Sequence, residues 1–128
     1  MSLVLYDSDS KPLHIKKGET CEIRYKIRYG GNVEVKISAT GRVYVDIGVG
    51  QDKKQNVQDV IEEGEKEYKF TSGPGNELVA RFQCETGLFA KSSDVIFEIK
   101  MYTTKDAINF SKEIKKLLEI LKELGKYY

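Results

Sequence analysis

The chain has 128 residues, of which 40% are hydrophobic and 32% are charged. This composition is typical of a soluble globular protein, and the length fits one domain that can bury a core without disulfides or metals. Lys and Arg total 21 against 20 Asp and Glu, a formal net charge of +1. Such a balance supplies no broad positive field, so nucleic acid is not an expected partner.

The two cysteines and the chain ends leave the cellular compartment open. No stretch is apolar for long enough to span a bilayer, and the first residues lack the basic and apolar regions of a signal peptide. Cys21 and Cys84 lie far apart in the sequence. They could close one large loop by a disulfide in an oxidising compartment, or be two buried thiols in a reducing one.

Alternating apolar and polar residues predict strands in the first half of the chain. Residues 21–29 alternate in this way, and Gly30-Gly31-Asn32 follows as a turn that can take positive φ. Residues 33–38 alternate again, which predicts a hairpin with the preceding strand. A third strand is predicted over 42–49.

The second half continues the pattern after a polar loop at 50–55. We predict a weak strand at 57–61, a short strand at 67–70 and clearer strands at 78–84 and 95–101. The last of these is apolar on both faces at its start, which is typical of a central strand. Short strands separated by turns at regular spacing predict a mainly β fold, an antiparallel β-sandwich of jelly-roll type, over residues 1–102.

A change of period marks one C-terminal amphipathic α-helix in residues 103–128. Thr103 or Thr104 can cap its start, Asp106 complements its dipole, and Gly125 can end it. Its apolar residues follow the 3, 4, 3, 4, 3 spacing of a coiled-coil seam: Ala107, Phe110, Ile114, Leu117, Leu121 and Leu124. The seam could pack on the sandwich or associate with another helix, and the sequence favours neither.

Few residues point to a ligand or a reaction. Arg24, Lys26 and Arg28 share one strand face and could bind an acidic peptide or lipid headgroups, although an ordinary solvated face is the favoured alternative. His14, the one histidine, has no metal-ligand spacing around it, so no metal or other cofactor is expected. With no paired acids and no assembled nucleophile, base and orienting group, we predict no catalytic residues and no enzyme activity.

Several short stretches resemble the GOLD (Golgi dynamics) domain, the β-sandwich of TMED cargo receptors. Lys16-Lys17-Gly18-Glu19-Thr20-Cys21 is similar to the basic first strand of TMED luminal domains, and Val45-Asp46-Ile47-Gly48-Val49 is similar to the GOLD middle strand. Residues 78–84 and 92–99 resemble the paired last strands that close the GOLD sandwich. A heptad helix directly after the sandwich is also the TMED arrangement.

The resemblance implies a non-enzymatic adaptor that recognises protein or lipid through its sandwich and oligomerises through its helix. It also implies a place in membrane trafficking, in the secretory pathway or at a membrane, whereas without the resemblance the expected location is the cytoplasm. Two other hypotheses remain. One is a structural subunit of a virion or cell-surface assembly, and the other is a small-ligand carrier lined by Tyr25, Tyr29, Tyr44 and Tyr68.

Overall fold

The structure, a computed structural model, describes residues 2–50 and 55–126, so most of the loop predicted at 50–55 lies outside it. In these ranges the chain forms eight strands and one helix. Their bounds are β1 Leu3–Ile15, β2 Thr20–Lys26, β3 Gly31–Ala39, β4 Val43–Val49, β5 Gln55–Ile61, β6 Gly64–Ser72, β7 Glu77–Gln83, β8 Ser93–Thr104 and α1 Lys105–Gly125.

Two four-stranded antiparallel sheets pack face to face. The first, sheet A, has the strand order β1-β8-β3-β6, and the second, sheet B, has the order β2-β7-β4-β5. This is the double-sheet arrangement of a jelly roll. The predicted fold class, a mainly β antiparallel sandwich with one C-terminal helix, is confirmed.

The predicted hairpin of residues 21–29 and 33–38 is wrong. β2 pairs with β7 in sheet B, whereas β3 pairs with β6 and β8 in sheet A. The expectation that residues 78–84 and 92–99 pair with each other fails in the same way, because β7 and β8 belong to opposite sheets. A turn permits a hairpin, but in this fold Gly30 and its neighbours carry the chain across the core.

The sequence interpretation also missed β1, the longest strand. Residues 7–11 of this strand are polar and Pro12 follows them, a pattern that resembles a loop more than a strand. β1 lies at the edge of sheet A and pairs with β8 over its whole length. An edge strand tolerates proline because one side of its backbone needs no partner.

The core lies between the sheets and consists of the alternating residues of the central strands. Phe97 of β8 stands at its centre, in edge contact with Phe82 at 6.0 Å and stacked on Tyr25 at 5.6 Å between ring centroids. The strand predicted at 95–101 is indeed central, between β1 and β3, but only one of its faces is covered.

A tyrosine–aspartate hydrogen bond closes each open side of the sandwich. Tyr25 of β2 donates to Asp9 of β1 at 2.8 Å, and Tyr68 of β6 donates to Asp59 of β5 at 2.8 Å. Each bond joins the edge strand of one sheet to the edge strand of the other. Burial, with the neighbouring carboxylate as the second cause, raises the pKa of both tyrosines, so each phenol remains a donor.

The helix follows β8 without a linker. Thr104 is both the last residue of β8 and the N-cap of α1, and its side chain accepts a hydrogen bond from the Ala107 amide at 3.2 Å. The predicted boundary between residues 102 and 103 therefore falls inside β8. The predicted end at Gly125 is the last residue of α1.

Candidate functional site

The first candidate surface is the apolar face of α1, which is exposed along the helix. No residue of the helix is buried. The large side chains of its predicted seam are 42–65% exposed: Phe110, Ile114, Leu117, Leu121 and Leu124. The structure therefore does not show the first of the two alternatives, in which the seam packs on its own sandwich.

The apolar face of the helix is wider than a two-position stripe. With Ile114 and Leu121 at position a and Leu117 at position d of the heptad, Leu118 falls at e and Ile120 at g. Both are more than half exposed. Positions e and g commonly carry charges in two-stranded coiled coils, so apolar residues there widen the exposed apolar face beyond a two-position seam.

A second candidate surface is a groove on the outer face of sheet B. The register places Glu22, Arg81, Asp46 and Gln58 in one row across the four strands. Thr20, Gln83, Tyr44 and Val60 form the next row. Together these rows supply most of the lining of an open groove of about 550 Å³.

Ion pairs already occupy part of the predicted cationic face. Arg24 pairs with Glu77 at 2.8 Å and with Glu22 at 3.3 Å. Lys26 lies opposite Glu77 in the register, whereas Arg28 follows the end of β2 and has its guanidinium 6.0 Å from the Tyr29 ring centroid. The structure thus places Arg24 and Lys26 on the outer face of sheet B but does not gather the three residues into one free cationic patch.

Glu22 connects this face to the groove. Arg81 donates to Glu22 at 2.8 Å, and this hydrogen bond, supported by Arg24, lowers the pKa of the Glu22 carboxyl. Glu22 is therefore ionised at neutral pH and neutralises both guanidinium groups. The groove presents a balanced set of polar groups and no strong charge of one sign.

Cys21 and Cys84 are free thiols in the structure. Cys21 lies opposite Phe82 in the β2–β7 register, which makes Cys84 its diagonal neighbour. Diagonal positions are separated by about 7–8 Å, beyond the usual Cα span of a disulfide. Burial raises the pKa of the Cys84 thiol, which suits a core residue and not a nucleophile.

The other chemistry-bearing residues do not converge. His14 is exposed and bonds Asp94, its cross-strand partner on the outer face of sheet A. No group of three or more His, Cys, Asp or Glu that could hold a metal occurs within residues 2–50 and 55–126. Over the same ranges, no helix is both long and apolar enough to cross a membrane.

The tyrosines proposed to line a ligand cavity lie apart. Tyr25 and Tyr68 close opposite sides of the sandwich, and Tyr44 points outward from sheet B. Tyr29 packs edge-on against Tyr6 at 4.9 Å between ring centroids. These positions give no common interior cavity.

The sequence interpretation overlooked one exposed feature, the apolar pair Leu88 and Phe89 between β7 and β8. Each side chain is 93% exposed. The signal was present, since two large apolar residues follow Gly87 outside any alternating pattern. Residues 88–89 fall between the strands predicted at 78–84 and 95–101, and the sequence interpretation gave them no role.

No family model matches the sequence, and no curated protein matches it significantly. Among solved structures, the pre-peptidase C-terminal domain of a Bacillus anthracis collagenase is 13% identical, with 72% of this chain and 86% of that chain covered and a TM-score of 0.50. A de novo designed double-stranded β-helix is 19% identical over 73% of this chain and 99% of that chain, with a TM-score of 0.43. A carbohydrate-binding module in complex with calcium and xylotriose is 8% identical over 80% of this chain and 100% of that chain, with a TM-score of 0.38. At these identities the likeness concerns the fold alone.

Proposed function

We propose that this protein is a non-enzymatic binding module that assembles with copies of itself through α1. The observation that carries the proposal is the unpaired apolar face of the helix. A helix of 21 residues in water gains most of its stability from packing such a face. Because the sandwich leaves this face uncovered, a second chain is needed to bury it.

The helix seam fits another copy of itself. Its regular heptad spacing aligns like positions of identical chains, and homo-oligomers with closed symmetry are the commonest assemblies. Leu118 and Ile120 would stay partly exposed in a dimer, whereas a bundle of three or more helices covers more of each helix surface. We therefore infer an oligomer larger than a dimer.

Sedimentation of the full chain tests this proposal. We expect a concentration-dependent oligomer of three or more chains, and a monomer when Leu117→Lys places a charge in the seam. Lys115→Gln, on the exposed polar face, is the matched control and should assemble normally. A full chain that stays monomeric at high concentration contradicts self-association and favours a different helix as the partner.

The sheet B groove supports a second function, recognition of an uncharged polar ligand. Its volume of about 550 Å³ lies in the usual range for small-molecule sites, and Tyr44 offers a partly exposed ring beside the amides of Gln58 and Gln83. Native mass spectrometry and a glycan array test this idea. Binding that Gln58→Ala abolishes supports it, and an empty array with no retained ligand contradicts it.

A trafficking role is the finer hypothesis that the GOLD resemblance adds. It depends on the sequence stretches 16–21, 45–49, 78–84 and 92–99, and none of the three structures described above is a GOLD domain. The continuous passage from β8 into a heptad helix is consistent with it. Localisation of the tagged full-length protein to the early secretory pathway supports this role, and a diffuse cytoplasmic distribution contradicts it.

A further inference from the structure

The loop between β7 and β8 presents an apolar tip. The Ala90 amide donates to the Gly87 carbonyl at 3.3 Å, and the resulting turn holds Leu88 and Phe89 at its two central positions. Both side chains are 93% exposed. Single exposed apolar residues are common, but two adjacent large ones at almost full exposure are not, and they indicate a surface that contacts something else.

The tip lies at the end of the sandwich opposite the helix. β8 begins directly after this loop and ends where α1 begins. Its 12 residues span about 40 Å. The helix of the same chain therefore cannot cover Leu88 and Phe89, and helix association leaves them free.

Three lysines lie on the chain segments next to the tip. The β1–β2 loop is attached to the same region, because the Gly18 amide donates to the Glu85 carbonyl and the Cys84 amide donates to the Glu19 carbonyl, each at 3.2 Å. This places Lys16 and Lys17 beside the tip loop, and Lys91 follows Phe89 by two residues. All three are exposed, and none forms an ion pair with a described residue.

Nearby carboxylates have partners of their own. Glu85 pairs with Arg42 at 3.5 Å and accepts a hydrogen bond from Tyr44. Glu19 accepts from the Lys16 backbone amide at 3.1 Å. Glu62 and Glu63 of the β5–β6 connection lie at the same end of the sandwich, beside Arg42, but next to the strands farthest from β1 and β2 in the two sheets. The three lysines therefore form a cationic group on the β1–β2 side of this end, with no ion pair to a described carboxylate.

We propose that this tip docks the protein on an anionic phospholipid bilayer. Leu88 and Phe89 would enter the boundary between headgroups and acyl chains, while Lys16, Lys17 and Lys91 contact phosphates at the surface. A protein partner would instead favour a flat, well-packed rim around the apolar anchors. Here the anchors protrude and their rim is flexible, charged lysine.

Binding by one tip is weak, because two side chains bury little area and a single acyl chain already gives only marginal anchoring. Parallel association through α1, which rests on the proposed function above, would present several tips on the same side. Linked weak sites bind a common surface far more tightly than one site does. Membrane docking would thus depend on the tip for contact and on the helix for strength.

Vesicle co-sedimentation of the full-length protein tests the proposal. We expect binding to phosphatidylcholine vesicles containing about 30% phosphatidylserine, little binding to phosphatidylcholine alone, and release as salt rises from about 0.1 M to about 0.5 M. The double variant Leu88→Ser/Phe89→Ser should lose at least about tenfold in affinity. The matched control is Leu3→Ser/Leu5→Ser, an exposed apolar pair at the opposite end, which should bind normally.

The outcomes separate this inference from the proposed function. The membrane proposal is overturned if the wild-type protein does not bind anionic vesicles, or if the tip variant binds them as well as wild type does. Either result counts even if the chain oligomerises. Conversely, a monomeric wild type with tip-dependent vesicle binding upholds the membrane proposal and overturns helix assembly. Circular dichroism of the tip variant should match wild type, because these side chains contribute nothing to the core.

Discussion

β8 and α1 are consecutive in the chain but differ in how completely their apolar residues are buried. Val95, Phe97, Ile99 and Met101 of β8 are at most 2% exposed, whereas every large apolar residue of the α1 seam is at least 42% exposed. The strand finds its partners within the chain, and the helix does not. The core of the sandwich is therefore buried without the seam of the helix, and a pattern of apolar residues predicts burial without identifying the partner.

The largest loss of stability should come from truncating Phe97, the aromatic side chain of β8 at the centre of the core. Phe97→Ala should lower the free energy of unfolding by about 3–5 kcal/mol, because it leaves a cavity against Phe82 and Tyr25. Phe110→Ala, the same change on the helix, should leave sandwich stability within about 0.5 kcal/mol of wild type. Urea denaturation followed by near-UV circular dichroism measures the stability of both variants. Equal losses of stability would contradict the difference in burial between β8 and α1.

A smaller loss of stability is expected at Gly31, where the chain crosses from sheet B to sheet A. A Cβ on Gly31 would lie 2.0 Å from the Tyr102 carbonyl oxygen, so Gly31→Ala should cost at least about 1–3 kcal/mol through displaced backbone. Gly73→Ala is the control, since its nearest neighbour would be 3.7 Å away, and we expect almost no change. Thermal unfolding distinguishes the two, and an unchanged Gly31→Ala variant would show that β3 can move away from β8.

The closure of the sandwich by Tyr68 and Asp59 should contribute about 1 kcal/mol and depend on pH. The hydrogen bond from Tyr68, followed by those from Val60 and Lys66, lowers the pKa of Asp59 in the folded state. A depressed pKa contributes stability that is present above the unfolded value of about 3.9 and is lost as pH falls through the folded value.

Tyr68→Phe should therefore destabilise the protein at about pH 7, and its deficit should be smaller in acid, at a pH below the depressed folded pKa of Asp59. Urea titrations of both proteins at the two pH values measure the difference. Tyr102→Phe, which lies on the outer face of sheet A, is the control. A Tyr68→Phe deficit that is equally large in acid would show that the contribution is packing and not this hydrogen bond.

The smallest change in the sandwich should come from dilution, which should affect amide protection in the helix but not in the strands. Below the association concentration we expect unchanged amide protection in β3 and β8 but loss of protection in α1, because its exposed face loses its partner. Hydrogen exchange at high and low protein concentration measures both elements in one sample. Protection of α1 that does not vary with concentration would mean that the helix is stable alone.

Local patterns predicted much of this fold for reasons that are short-range. Alternation located β2, β3, β4, β7 and β8, and the heptad spacing, N-cap Thr104 and terminal Gly125 located α1 within two residues. Alternation did not predict β1, because Asp9 and Lys11 occupy inward positions at the open side of the sandwich. There Asp9 accepts a hydrogen bond from Tyr25, and the Lys11 ammonium lies 5.3 Å from the centroid of the Tyr25 ring. Polar residues therefore occupy positions where alternation predicts apolar ones.

Among the candidate surfaces, too, some could be predicted from local sequence patterns and others depended on the fold. The sequence predicted the α1 seam and the row of basic residues on β2, because both are periodic. It could not show that Glu22 and Glu77 neutralise Arg24, since Glu77 comes from a strand 53 residues away. The Leu88–Phe89 tip also depended on the fold, because only the crossing from sheet B to sheet A leaves that connection exposed at one end.

Contacts between near neighbours set the mainly β class, the periodicity of the central strands and the place and face of the helix, so these features could be predicted from the sequence. Tertiary structure alone decided which strands pair, that Cys21 and Cys84 stand diagonal and unbonded, and that the helix extends from the sandwich uncovered. The physical reason is the jelly-roll connection, in which most strands find their partners far along the chain. A heptad seam predicts burial, and only the complete sandwich, closed by its own edges, shows that the sandwich does not supply it.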